Sequence, residues 1–98
     1  MNLSLNYEGF ERFLFETRDR SEDGGIQYIF RFENGYGASI VKHSFSYGHE
    51  KDLWELGVLF NYGEDRWHLT YETPITEDVE GNLTDEDVRN LLKRIKEL

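Results

Sequence analysis

Cysteine is absent from the 98 residues. That excludes disulfides, thiolate zinc sites and cysteine nucleophiles. Proline occurs once, at Pro74. Cations are scarce: 11 Lys and Arg stand against 20 Asp and Glu, a formal net charge of -9. A field of that sign repels phosphates, so direct nucleic-acid binding is not expected. No apolar run approaches the ~20 residues of a membrane span. The opening MNLSLNYEGFERF has neither the basic nor the continuous apolar stretch of a secretory signal. A soluble, cytoplasmic protein without membrane association is the expectation.

Catalytic and cofactor motifs are also missing. Gly35-Tyr36-Gly37 lacks the helix and lysine of a phosphate loop. Ser39, Ser44 and Ser46 lie near His43 and His49, but no nucleophile elbow or acid partner accompanies them. Among 20 acidic residues chance carboxylate pairs abound, so none singles out an acid–base site. His43 and His68 alternate onto one expected face with Glu55 and Glu72 nearby. These are residue types of a metal site, yet three solvated histidines are the simpler account. The expectation is a non-enzymatic protein with no cofactor and no metal.

What is present is aromatic and patterned. Aromatics make up 15% of the chain, enough burial to offset chain entropy despite the charge. The length fits one domain. Phe10 to Arg20 alternates with period two and reads as a strand. Ser21 to Gly25 reads as a turn. Ile26 to Glu33 is a clear strand with Tyr28, Phe30 and Phe32 on one face and Ile29 out of pattern. Asn34-Gly35 then signals a hairpin. A three-residue Glu33-Asn34-Gly35 loop with left-handed Gly35 pairs Phe32 with Tyr36, Phe30 with Ala38 and Tyr28 with Ile40. That register keeps one face apolar, and a two-residue loop does not.

The stretch Gly35 to Leu59 organises the rest. It holds a strand from Tyr36 to His43, a loop from Ser44 to Asp52, and the start of a strand running from Trp54 to Tyr62. Gly63-Glu64-Asp65 turns the chain into Arg66 to Glu72, with Trp67, Leu69 and Tyr71 expected inward. Pro74 ends that strand because it cannot donate to a ladder. Thr73 to Leu83 is expected to be an acidic loop. Thr84 and Asp87 approximate a capping box, and Val88, Leu91, Leu92, Ile95 and Leu98 form one helical stripe. The predicted fold is α+β: about five mostly antiparallel strands in a meander (26–72, after a first strand within 1–20) and one C-terminal helix over 84–97 packed on the sheet.

Two surfaces are candidates for binding. The loop residues Tyr47, His49, Glu50 and Asp52, with Tyr36, offer aromatic and polar contacts at low entropy cost. Glu77, Asp78 and Glu80 add negative charge.

The segments Asn34–Ser39, Ser46–Gly48, Leu53–Leu56 and Thr73–Thr76 read NGYGAS, SYG, LWEL and TPIT. In these the chain resembles short phage and prophage proteins of Gram-positive bacteria, over about Tyr28 to Leu98. The resemblance implies an anti-defence role in the cytoplasm of a bacterial host and carries over no catalytic residue. The leading expectation is an inhibitor that binds a host defence protein through an acidic surface, most concretely an anti-CRISPR acting on a Cas nuclease. One alternative is a small-ligand or nucleotide-sequestering protein using Tyr47, His43 and Arg31. Another is a structural or regulatory module, such as a homodimer through a sheet edge.

Overall fold

The computed structural model describes residues 2–20, 22–76 and 79–98. The hairpin that the Asn34-Gly35 signal predicts is present in the expected register. Strand β2 (Gly25–Arg31) pairs antiparallel with β3 (Tyr36–Lys42), and Tyr28 faces Ile40 while Phe30 faces Ala38. The Phe32 N–H donates to the Tyr36 carbonyl at 2.8 Å, and Gly35 has φ +87°, the left-handed value the three-residue loop requires.

The chain continues as a meander. Strand β1 (Leu14–Arg20) flanks β2, and β4 (Trp54–Asn61) flanks β3. The edge of β4 is then shared. The short β5 (Trp67–Leu69) pairs with its C-terminal end, and β6 (Glu80–Leu83) with its N-terminal end. The result is a six-stranded antiparallel sheet, five strands of it in meander order. The sixth strand falls where an acidic loop was expected. Glu80-Gly81-Asn82 has no alternation and poor strand propensity; pairing with Trp54 and Leu56 organises it instead.

One helix, α1 (Asp85–Lys96), covers one face of the sheet. Its predicted capping box is formed: the Asp87 N–H donates to Thr84 Oγ1 at 3.1 Å, and the Thr84 N–H donates to Asp87 Oδ2 at 3.0 Å. Val88, Leu92 and Ile95 are buried against Phe30, Ala38, Ile40, Leu56 and Val58, each worth about 1.5–3 kcal/mol of transfer free energy. At the other end of α1, Asn34 Nδ2 donates to the carbonyls of Ile95 and Lys96 at 2.9 and 3.1 Å. Its Oδ1 accepts the Tyr36 N–H at 2.9 Å. The hairpin turn thus caps the helix. Asn34→Ala is expected to cost about 1–2 kcal/mol, read from the urea midpoint, because those last carbonyls lose the side-chain donor that ties them to the turn.

The N-terminal segment is part of this layer. Leu5 is buried in the core, and Tyr7 packs on Tyr28 and Phe30 with ring centroids 5.8 and 5.6 Å apart. The Tyr28 hydroxyl donates to the Leu3 carbonyl at 2.8 Å. Glu11–Phe13 forms a single 3₁₀ turn where the expected strand would have begun. A bulge between Leu14 and Glu16 then shifts the alternation of β1. Among the described residues, no helix is long and apolar enough to cross a membrane.

The largest departure from the sequence reading concerns β5. Trp67 and Leu69 were expected on the helix face with Trp54 and Val58. The ladder pairs Leu59 with Leu69, Phe60 with His68 and Asn61 with Trp67. Paired residues share a face, so Trp67 and Leu69 lie opposite α1, and Tyr71 is exposed. The turn was read correctly, since the Tyr62 N–H donates to the Arg66 carbonyl across it at 2.9 Å. The face was not, because apolarity was equated with the helix side. Ile29, Val41 and Leu59 make the second face apolar as well.

Candidate functional site

The loop from Ser44 to Asp52 is held by its own backbone and by β6. Ser46 is buried; its Oγ accepts the His43 N–H at 3.0 Å and donates to the His43 carbonyl at 3.1 Å. The Lys51 and Leu53 N–H groups both donate to the Gly48 carbonyl at 3.0 Å. Gly48 has φ +92°, and a Cβ there would meet the Asn82 Cα at 2.9 Å, so only glycine fits this approach to β6. The Tyr47 carbonyl accepts the Asn82 N–H at 3.5 Å, and the Tyr47 N–H donates to Glu55 at 3.4 Å.

On this pinned backbone two aromatic rings project into solvent. Phe45 is 83% exposed and Tyr47 66%. Glu50 is exposed beside them, and its carboxylate lies 3.3 Å from His49 Nδ1, which also donates to the Ser46 carbonyl at 2.6 Å. Tyr47 packs against Gly81 of β6, whereas Glu80 pairs with Leu56 on the helix face and lines a groove with Asp87, Asn90 and Arg94 of α1. The loop therefore carries Tyr47, His49 and Glu50, while Glu80 lies apart from them beside α1. Glu77 and Asp78 lie outside the described residues.

The other two sequence candidates do different work. Tyr36 begins β3 at the opposite end from the loop, half-buried against Phe60 at 4.8 Å. Asp52 leaves the loop and ties down the N-terminal segment. Its Oδ1 accepts the Asn2 N–H at 2.7 Å and the Lys42 Nζ at 3.1 Å. Lys42 is only 2% exposed, with its ammonium also bonded to the Asn2 carbonyl at 2.7 Å and 4.1 Å from the Trp54 ring centroid.

The histidines do not converge. His43 follows β3 at one end, while His68 pairs with Phe60, which faces Tyr36 at the other. The length of β3 separates them by roughly 20 Å at ~3.3 Å per residue. Arg31 pairs with Gly37 at that far end too, so it cannot join His43 and Tyr47 in one ligand site. His43 Nδ1 accepts the Phe45 N–H at 3.1 Å, which places it in the base of the loop. Among the described residues no three His, Asp or Glu side chains gather as a metal site.

Among the described residues, two carboxylates are shifted. The Asn2 N–H, and then Lys42, hold Asp52 below the ordinary 3.8, against a smaller opposing effect of burial. The hydrogen bond from Arg20 holds Asp23 below it in the same way. A carboxyl with a depressed folded-state pKa stabilises the fold above its unfolded value, and that contribution is lost as pH falls through the folded one. The difference in urea midpoint between wild type and Asp23→Asn/Asp52→Asn should be constant above about pH 5 and shrink below about pH 4. The paired comparison removes the general relief of repulsion as the other acids titrate.

The feature that sequence reasoning missed is on the second face of the sheet. Arg18, Gln27, Arg31, Ser39, Leu59 and Trp67 line an open cavity of ≈ 560 Å³ there. Its signal was in the chain. Ile29, Val41 and Leu59 carry apolar side chains at the parity taken as polar, and Trp67 and Leu69, expected inward, join them on that face.

No family model, no curated protein and no solved structure matches this chain.

Proposed function

We propose that this is a non-enzymatic protein that acts by binding, an inhibitor that docks on a basic surface of another protein. The most concrete version is a phage-encoded anti-CRISPR that blocks a Cas nuclease. The observation that carries the reading is the pair Phe45 and Tyr47, exposed at 83% and 66% on a backbone already fixed by hydrogen bonds. Rigid exposed aromatics bury large areas while losing little entropy, which is how binding hot spots work. The net charge of -9 would steer such a loop to a Lys/Arg groove built for nucleic acid. The phage-like segments supply the biological setting.

The test uses purified protein titrated into a guide-loaded Cas nuclease from a Gram-positive host, with DNA cleavage as the readout. Inhibition saturating near one equivalent is expected, weakening steeply with added salt. Tyr47→Ala with Phe45→Ala should raise the inhibitory concentration by about tenfold or more without moving the thermal midpoint. Full cleavage at large molar excess against each nuclease class would remove the anti-CRISPR version. A double variant as potent as wild type would remove the loop from the interface.

A further inference from the structure

On the second face of the sheet the cavity lining itself holds cations and no acid, with Glu16 and Asp65 pairing its two arginines from outside the lining. The molecule has nearly two acids for every cation. Yet of the nine described residues that line the cavity on that face, none is acidic and two are arginines, Arg18 and Arg31. The volume, ≈ 560 Å³, falls in the ~300–1,000 Å³ range of small-molecule sites.

Arg31 is held in place before any ligand arrives. Its guanidinium carbon sits 3.5 Å from the Phe15 ring centroid and 4.8 Å from that of Trp67. Nη1 donates to Asp65 at 3.2 Å, and Trp67 Nε1 donates to the same oxygen at 2.8 Å. The Nε–H is buried and has no acceptor among the described residues. A buried donor without an acceptor is costly, and an oxyanion at the Nε–Nη2 edge supplies the bidentate acceptor that guanidinium geometry favours. Arg18 stands two-thirds of the way along β1, paired with Glu16, and adds a second cation. Gln27 Nε2 donates to Ser39 Oγ at 2.7 Å, which leaves the serine proton to donate. Leu59, Leu69 and Trp67 offer an apolar wall.

We infer that this cavity binds a small amphipathic anion, an apolar or ring-bearing body with a carboxylate or phosphate head held by Arg31 and Arg18. The site is separate from the exposed loop at the other end of β3, and it stands or falls independently of the inhibitor reading.

Amide and side-chain NMR of the full chain tests it with four probes, each to about 10 mM, the upper range of fragment affinities. They are 3-phenylpropionate, phenyl phosphate, inorganic phosphate and the neutral 3-phenylpropanol. Expected are saturable shifts of the Trp67 indole and Arg31 Nε–H signals with one or both aromatic anions, while the Trp54 indole stays put. Whichever aromatic anion binds more tightly identifies the head group. Arg18→Gln, at an exposed position, should weaken that binding by about fivefold or more with the thermal midpoint unchanged. Three results would overturn the inference: no shift at Trp67 or Arg31 with either aromatic anion, equal binding of the neutral alcohol, or equal binding of inorganic phosphate alone.

Discussion

Replacing Lys42 with alanine should lower stability by about 3–4 kcal/mol, among the largest losses from one exposed-looking letter in this chain. Lysine in a strand usually signals a solvated face, but Lys42 is 2% exposed and all of its polar contacts are internal. Truncation removes the hydrogen bonds to the Asn2 carbonyl and the Asp52 carboxylate, and the cation over Trp54. It also opens a void beside a fully buried indole. Lys42→Met keeps the stem volume and loses only the polar contacts, so it should cost about 1–2 kcal/mol. Urea unfolding measures both. Hydrogen exchange locates the effect, because the Asn2 and Leu5 N–H groups donate to Asp52 and to the Tyr28 hydroxyl and should lose protection first. An alanine variant within about 1 kcal/mol of wild type would mean that the ammonium is not what anchors the N-terminal segment.

The second large effect is a contrast between two glycines on the uncovered face. A Cβ on Gly37 would lie well inside van der Waals contact distance of the Phe30 carbonyl oxygen. That oxygen belongs to the β2–β3 ladder and cannot retreat without breaking it. Gly37→Ala should therefore cost about 3 kcal/mol, a drop of roughly 15 °C or more in thermal midpoint for a chain of this size. A Cβ on Gly57 would instead meet Leu69 Cδ2 at 2.5 Å. That is the end of a flexible side chain on a three-residue edge strand. Leu69 can swing toward solvent, so Gly57→Ala should cost about 1 kcal/mol. Calorimetry on the two variants decides it. Equal costs would show that edge strand β5 is as rigid as the central ladder.

Much of the fold was legible because its cues are local. Asn34-Gly35 specifies a turn through the backbone freedom of one residue, and apolar alternation then sets the register without knowledge of anything distant. The capping box needs only Thr84 and Asp87, three residues apart. Strand β4 announces itself by alternation. Strand β6 does not, because Glu80–Leu83 is a strand only through its pairing with Trp54 and Leu56. The internal bonds of Asp52 to Asn2 and Lys42 were hidden for the same reason. An acid in a loop looks unpaired in the sequence, and only the fold brings Lys42 and Asn2 onto one of its oxygens.

The amino-acid sequence by itself determined the α+β class, the β2–β3 register, the helix with its cap and stripe, the aromatic loop and the acidic balance. Each follows from spacings of a few residues, where backbone geometry leaves little choice. Tertiary structure alone decided which apolar residues cover which face, where the buried lysine finds its partners, and that Arg31 belongs to a cavity with Arg18 and Trp67 rather than to a site with His43 and Tyr47. Those outcomes depend on how separate strands pair. One residue of register there moves every side chain to the other side of the sheet.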